Sequence, residues 1–263
     1  MHTDPAAHPP IDAGFSLDAF HRGRFHLVQP VGGHRSGLDA MLLAAALPTD
    51  FSGHAADLGA GAGAAGLAVL SRCPQARITL VERDPAMLDC ARRTLSLSHN
   101  RPLAERATLI DADVALTGPA RSAAGLTDAG FDFALMNPPF NDGADRATPD
   151  PLRRSAHVME DGLFEAWIRT AAAIVRPGGG LALIARPESL GGVLAALGRR
   201  FGGARIVLVH PSADQKAIRF VLRASKGSRA RLAFVPALVL NDAAGPLPRT
   251  QALSNGAAAL FDD

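Results

Sequence analysis

The sequence predicts a doubly wound α/β domain on a mostly parallel sheet with an antiparallel edge. Three observations predict it. From His54 onward, short apolar runs alternate with stretches of helical period, and nearly continuous apolar strands mark a parallel sheet covered on both faces. A glycine-rich turn, Asp57-Leu-Gly59-Ala-Gly61-Ala-Gly63, sits where the first of those strands gives way to its helix. Farther on, the apolar run Phe131–Met136 stops at Asn137-Pro138-Pro139-Phe140. Proline has no N–H and pushes the residue before it to extended geometry, so the chain must turn out at the carboxyl end of that strand. In an open α/β sheet that edge is where ligands bind.

Taken in order, residues 1–14 are rich in Pro, Ala and His and are expected to form a mobile tail ahead of a single domain over 15–263. Residues 25–30 read as a short extended segment. Ser36 and Asp39 have the S-x-x-D spacing of a helix start, and the apolar run that follows predicts about three turns ending near Pro48. Strands are expected at 54–58, 78–82, 107–111, 131–137, 180–185, 205–210, 217–224 and 231–240, with helices at 63–71, 85–97, 160–176 and 188–200. Residues 115–130 read as a loop or broken helix, and 141–157 as a long polar loop of the kind that serves as a lid. The last two strands have no helix between them, which predicts that they pair antiparallel at the edge and form a basic strand pair. In the first of them Ile218, Phe220 and Leu222 alternate with Arg219, Val221 and Arg223, so both arginines share a face.

Composition narrows the class. With 263 residues, 48% hydrophobic and 20% charged, the chain has the profile of a soluble globular protein that buries a substantial core. Apolar runs such as Met41–Leu47 fall far short of the roughly 20 residues of a membrane span. The start, Met1-His-Thr-Asp-Pro, lacks the basic region and apolar core of a signal peptide, so a cytoplasmic location is expected. Cys73 and Cys90 are isolated thiols without metal-type spacing, which predicts reduced packing residues and no metal. The net charge of +2 hides an asymmetry: residues 1–150 carry 12 Lys/Arg against 17 Asp/Glu, and residues 151–263 carry 15 against 8. Lys216, Arg219, Arg223, Lys226, Arg229 and Arg231 concentrate the excess into one stretch that a polyanion would favour.

The glycine-rich turn lets the backbone approach a ligand, and the helix behind it offers free N–H groups. Gly61-Ala-Gly63-Ala-Ala-Gly66, with Glu82 about 20 residues on, also satisfies the dinucleotide pattern. Asp57 separates the two readings, because its charge repels a pyrophosphate and attracts the ammonium of a methionine moiety. Glu82 can accept from ribose hydroxyls, and Asp113, after the third strand, from an adenine amino group. At the fourth strand, the Asn137 side-chain oxygen and the Pro138 carbonyl can accept both hydrogens of a planar amine while Phe140 stacks on its plane. An exocyclic amine has a delocalised lone pair and needs such acceptors before it can attack.

These motifs, in their order and spacing, resemble class I S-adenosylmethionine-dependent methyltransferases, and the Asn-Pro-Pro-Phe motif is similar to that of members that methylate amino groups. Gly33-His-Arg-Ser-Gly-Leu-Asp39-Ala-Met-Leu-Leu-Ala and the ending Arg223-Ala-Ser-Lys226-Gly-Ser-Arg229 resemble the bacterial valine-tRNA adenine-37 N6-methyltransferase family, although Leu38 stands where that family has Thr. The resemblance implies a seven-stranded Rossmann-like sheet and S-adenosylmethionine as cofactor, held by Asp57, Gly59, Gly61, Glu82 and Asp113. It implies methyl transfer at Asn137, Pro138 and Phe140, and RNA contacts from Arg35, Asp39, Arg223, Lys226 and Arg229, to which the charge run adds Lys216 and Arg219. Release-factor glutamine N5-methyltransferases usually have Tyr in place of Phe140 and a helical domain ahead of the cofactor loop, for which the residues before Asp57 are too few. Ribosomal guanine-N2 enzymes often continue with His, where this chain has Asn141. Adenine N6 in a tRNA anticodon loop fits best, and a nucleotide-dependent oxidoreductase is the alternative from another class.

Overall fold

The structure, a computed structural model, describes residues 12–32, 35–139 and 150–261, with 150–161 as backbone only. An antiparallel hairpin comes first, β1 (Phe15–Phe20) with β2 (Phe25–Pro30), followed by α1 (Leu38–Ala44). The main sheet then takes six parallel strands: β3 (His54–Leu58), β4 (Arg77–Glu82), β5 (Ala107–Asp111), β6 (Phe131–Met136), β7 (Val175–Ala185) and β8 (Phe201–His210). β9 (Arg219–Lys226) lies antiparallel between β7 and β8, and the short pieces β10 (Ala233–Phe234) and β11 (Leu238–Val239) run parallel along β8. The order is β5-β4-β3-β6-β7-β9-β8, with β10 and β11 outside. Helices α2 (Ala64–Arg72), α3 (Pro85–Ser96), α4 (Arg101–Ala104), α5 (Gly118–Ala123), α6 (Asp150–Ile174) and α7 (Leu190–Leu197) fill the crossovers. The small bridge β12 (Asn241–Asp242) with β13 (Gly245–Pro246) and helix α8 (Pro248–Ser254) end the chain.

This order places the site. The chain winds outward from β3 through β4 to β5, then returns to start the other half at β6, beside β3. The strand order reverses between β3 and β6, and a crevice opens there over the carboxyl ends. The layers on either side are fixed by period-two alternation. Ala55, Ile78, Leu80, Leu135 and Ile184 face α1, α2 and α8, whereas Ala56, Leu58, Val81, Met136 and Leu183 face α6 and α7. No helix among the described residues is long and apolar enough to cross a membrane.

Two polar devices lock the periphery to this frame. The hairpin docks on the end of α3, where Thr94 Oγ1 accepts from Val28 N at 2.9 Å and the Asn100 amide brackets His26 by accepting from its N–H and donating to its carbonyl. Next to the hairpin Arg72, 7% exposed, donates to the carbonyls of Ala44 (2.5 Å), Leu47 (3.2 Å) and Ala258 (2.9 Å), tying α1, α2 and the C-terminal segment together. Arg72→Met keeps the volume and strands three carbonyls. A cost of about 1 kcal/mol for each predicts a melting temperature lower by roughly 5–10 °C, read by circular dichroism.

The α/β class holds, and the basic end is wired differently from expectation. The strand over 217–224 does not pair with 231–240. Only residues 211–218 separate β8 from β9, too few for a parallel crossover, so β9 folds back antiparallel against β8 and inserts beside β7. The next stretch takes the outer side of β8, broken by Pro236 into two short pieces. The antiparallel strand is thus internal to the sheet. β7 begins five residues earlier than read, because Pro177 and Gly178–Gly180 look like a turn yet run in the strand beside a bulge at Phe131/Phe133. Residues 150–157, expected in the polar loop, already belong to α6, while 141–149 lie outside the described residues. So does the expected tail, through residue 11. Within 115–130, α5 is the helical piece. Ser36 does not cap α1, whose N-cap is Gly37 with no side-chain hydrogen bond.

Candidate active site

A cavity of about 420 Å³ lies over the carboxyl ends of β3, β4 and β6, and Asp57, Gly59, Gly61, Glu82, Asp113 and Asn137 all contribute to its wall. Residues spread over 80 positions of sequence therefore meet at one place. Its size suits a nucleoside-sized ligand. The segment ahead of α1 reaches it through Ser36, whose N–H donates to the buried Gln29 side chain at 2.7 Å.

The backbone of the turn is set by glycine. Gly59 has φ +71 and Gly61 φ +57, and a Cβ on Gly59 would meet Trp167 Cη2 at 2.4 Å. Glu82 pins the turn from the neighbouring strand: Oε2 accepts from Gly61 N at 2.8 Å, and Oε1 accepts from the N–H groups of Arg83 (2.7 Å) and Asp84 (2.8 Å). A carboxylate has about four lone-pair positions, so one remains for an incoming hydroxyl, where the sequence suggested two. Asp57 is 2% exposed, and its Oδ2 accepts from Gly66 N at 2.8 Å, bracing the first turn of α2. Burial pushes its pKa up to about 7; the Gly66 N–H opposes the rise and the Glu82 charge adds to it. Asp113 Oδ1 accepts from Ala115 N at 2.7 Å, and Oδ2 pairs with Arg83 Nη1 at 2.6 Å on the rim.

Asn137 differs from these carboxylates. Its Oδ1 is buried and accepts no hydrogen bond from any described residue. A buried acceptor left unpaired costs about 1–3 kcal/mol, so the site favours an incoming donor. Pro138 is buried and Pro139 lines the cavity; Phe140 lies outside the described residues.

The basic candidates do not gather. β9 carries Arg219 opposite Val209 at the carboxyl edge and Lys226 opposite Phe201 at the other end, about 23 Å apart along the strand. Arg219 Nε donates to Asp39 Oδ2 at 2.8 Å, and Arg35 pairs with Asp18 at 2.6 Å. Arg223 lies over the Phe261 ring, 5.2 Å from its centroid, and Lys226 Nζ donates to Val175 O at 2.6 Å, so both knit the fold. Lys216 and Arg229 are exposed at opposite ends of that strand's flanks. Cys73 and Cys90 are both free and buried, and burial raises both thiol pKa values. Among the described residues no group of His, Cys, Asp and Glu is placed to hold a metal. Sequence reasoning missed Trp167, Leu163, Met87 and Ser36, which also line the cavity. Only the apolar face of a helix signalled the first two.

A glycine turn held by a strand-end carboxylate, a buried aspartate behind it and an Asn-Pro-Pro turn on the adjacent strand fit S-adenosylmethionine, and with this strand order they define a class I methyltransferase that uses it. The chain belongs to the methyltransferase small domain family, which it matches over residues 35–210. A tRNA1(Val) (adenine(37)-N6)-methyltransferase of Porphyromonas gingivalis is 31% identical over 235 residues, covering 87% of this chain and 89% of the relative. A release factor glutamine methyltransferase of Deinococcus radiodurans is 33% identical over 140 residues, 51% of this chain and 45% of its own. Among solved structures, a predicted O-methyltransferase of Agrobacterium tumefaciens, protein Atu636, superposes with TM-score 0.75 at 43% identity, covering 86% of this chain and 99% of that one. The dinucleotide reading of Gly61-x-Gly63-x-x-Gly66 is thereby set aside. Gly66 serves packing, since a Cβ there would meet Leu80 at 2.4 Å.

Proposed function

We propose that this enzyme methylates the exocyclic amine of adenine, N6, at position 37 in the anticodon loop of a tRNA. The observation that carries the amine is the buried Oδ1 of Asn137, without a hydrogen-bond partner among the described residues, in the same cavity as Glu82 and Asp57. The tRNA reading is supported by the Porphyromonas gingivalis relative, which is similar along nearly its whole length. It implies action in the cytoplasm.

In this reading the cofactor supplies a methyl group already activated by its sulfonium, and the protein's task is placement. Asn137 Oδ1 and the Pro138 carbonyl accept the two N–H hydrogens and so hold the nitrogen lone pair on the line of attack. Phe140 stacks on the base, an interaction worth about 1–3 kcal/mol. Positioning of this kind contributes up to about 7–11 kcal/mol. The proton leaves to water after transfer. A loop base is largely unpaired, which lowers the cost of bringing it into the cavity. Lys216 and Arg219 stand at the sheet edge that carries Asn137 and suit phosphate contacts near the site. Lys226 and Arg229 sit at the far end, where only a long RNA would reach them.

Purified enzyme with methyl-labelled S-adenosylmethionine should label total tRNA, and nucleoside analysis should show N6-methyladenosine. Label in N2-methylguanosine of ribosomal RNA, in a 2′-O-methyl nucleoside, or in glutamine of a release factor would overturn the substrate and leave the cofactor assignment standing.

A further inference from the structure

We propose that Trp167 is the wall of the cofactor cavity that distinguishes the cationic methyl donor from its neutral demethylated product. The inference rests on the family's cofactor and not on the RNA substrate. Trp167 is 8% exposed and lines the same cavity as Asp57, Glu82 and Asn137. The outer edge of its six-membered ring lies directly against Gly59, since a Cβ on that glycine would meet Cη2 at 2.4 Å and Cζ3 at 2.9 Å. The helix that carries it is fixed in place. Phe164, Ile168 and Ala171 bury the same face of α6, and Thr170 Oγ1 donates to Val114 O at 2.7 Å, fastening the helix beside β5. Among the described lining residues it is the one aromatic side chain.

The chemistry of the donor explains why an aromatic ring belongs there. A sulfonium is a cation with no N–H or O–H, so hydrogen bonds to it are unavailable; what recognises it is negative charge or the face of a π system. The carboxylates of the cavity have other partners: Glu82 accepts three backbone N–H groups, Asp57 accepts from Gly66, Asp84 accepts from the N–H groups of Ala86 and Met87, and Asp113 pairs with Arg83. A free carboxylate beside the sulfonium would also be a competing nucleophile for its methyl group. Tryptophan carries no such oxygen and has the strongest cation-attracting face of the aromatic side chains. After transfer the sulfur is a neutral thioether and that attraction is lost. Trp167 therefore favours donor over product and helps the product leave.

The chain contains a single Trp and no Tyr, so its intrinsic emission comes from Trp167 alone. Titration of the full-length protein with S-adenosylmethionine and with S-adenosylhomocysteine should change that emission saturably, with midpoints equal to the calorimetric Kd values. Unchanged emission at calorimetric saturation would overturn the contact. Biosynthetic replacement with mono-, di- and trifluorotryptophan keeps the shape while draining the ring face of negative charge. Donor affinity should then fall stepwise, by about 2- to 30-fold across the series, with product affinity constant within about twofold. Equal weakening of both ligands, or no trend with fluorination, would make Trp167 an apolar filler and end the proposal.

Discussion

Asn137→Ala should lower kcat on the order of a thousandfold while S-adenosylmethionine affinity, measured by calorimetry, stays within a few-fold of wild type. Two effects combine. Removing the acceptor leaves one amine hydrogen unpaired in a closed site, at about 1–3 kcal/mol, and the nitrogen is then free to leave the line of attack, where a small misplacement costs about another 100-fold. The cofactor side is spared because Glu82, Gly61 and Asp57 make their hydrogen bonds without Asn137. The free enzyme should not suffer, since Oδ1 is buried without a hydrogen-bond partner among the described residues and its loss removes a penalty. An unchanged or raised melting temperature together with lost turnover is the expected signature. Turnover near wild type would remove Asn137 from the reaction.

The gathering of Asp57, Gly59, Gly61, Glu82 and Asn137 at one cavity was legible because each part carries a local sign. Glycines at 59 and 61 announce positive φ, Glu82 ends an apolar run, and two prolines end β6 after Asn137. These signs depend on near neighbours in sequence, and the parallel sheet turns them into spatial neighbours without further information. What sequence could not give depends on contacts between distant segments. Trp167 reads as one apolar position on a helical face, and its place against Gly59 follows only once α6 is packed on the sheet. Asp39 looked like a helix cap and instead pairs with Arg219, 180 positions away. The basic stretch looked like one surface because its charges are close in sequence. An extended strand separates residues by about 3.3 Å each, so β9 distributes them between the opposite strand-end edges of the sheet.

The second large effect concerns Asp57, where stability and binding should respond in opposite directions. Its folded pKa of about 7 stands above the ordinary value of 3.8. A carboxyl raised in this way contributes stability that is fully present below 3.8 and lost as pH climbs through about 7. The free protein should therefore lose stability as pH rises from about 4 to 7, by about 4 kcal/mol in all for a three-unit difference. Asp57→Asn keeps an acceptor for the Gly66 N–H and removes the charge, so the ligand-free variant should melt several degrees higher than wild type at pH 8. Binding reverses the sign. If the ammonium of S-adenosylmethionine pairs with Asp57, it must find the carboxylate ionised, and affinity should rise by about an order of magnitude from pH 5.5 to 7, a range in which the amino group, with pKa about 7.7–8.0, stays charged. The Asn variant should bind weakly with no such dependence, and the cofactor should not raise its melting temperature. Calorimetry in buffers of different ionisation enthalpy should show a proton released on binding to wild type near pH 6. Affinity that is flat with pH in wild type would show that Asp57 only braces α2 and is not the counter-charge of the cofactor.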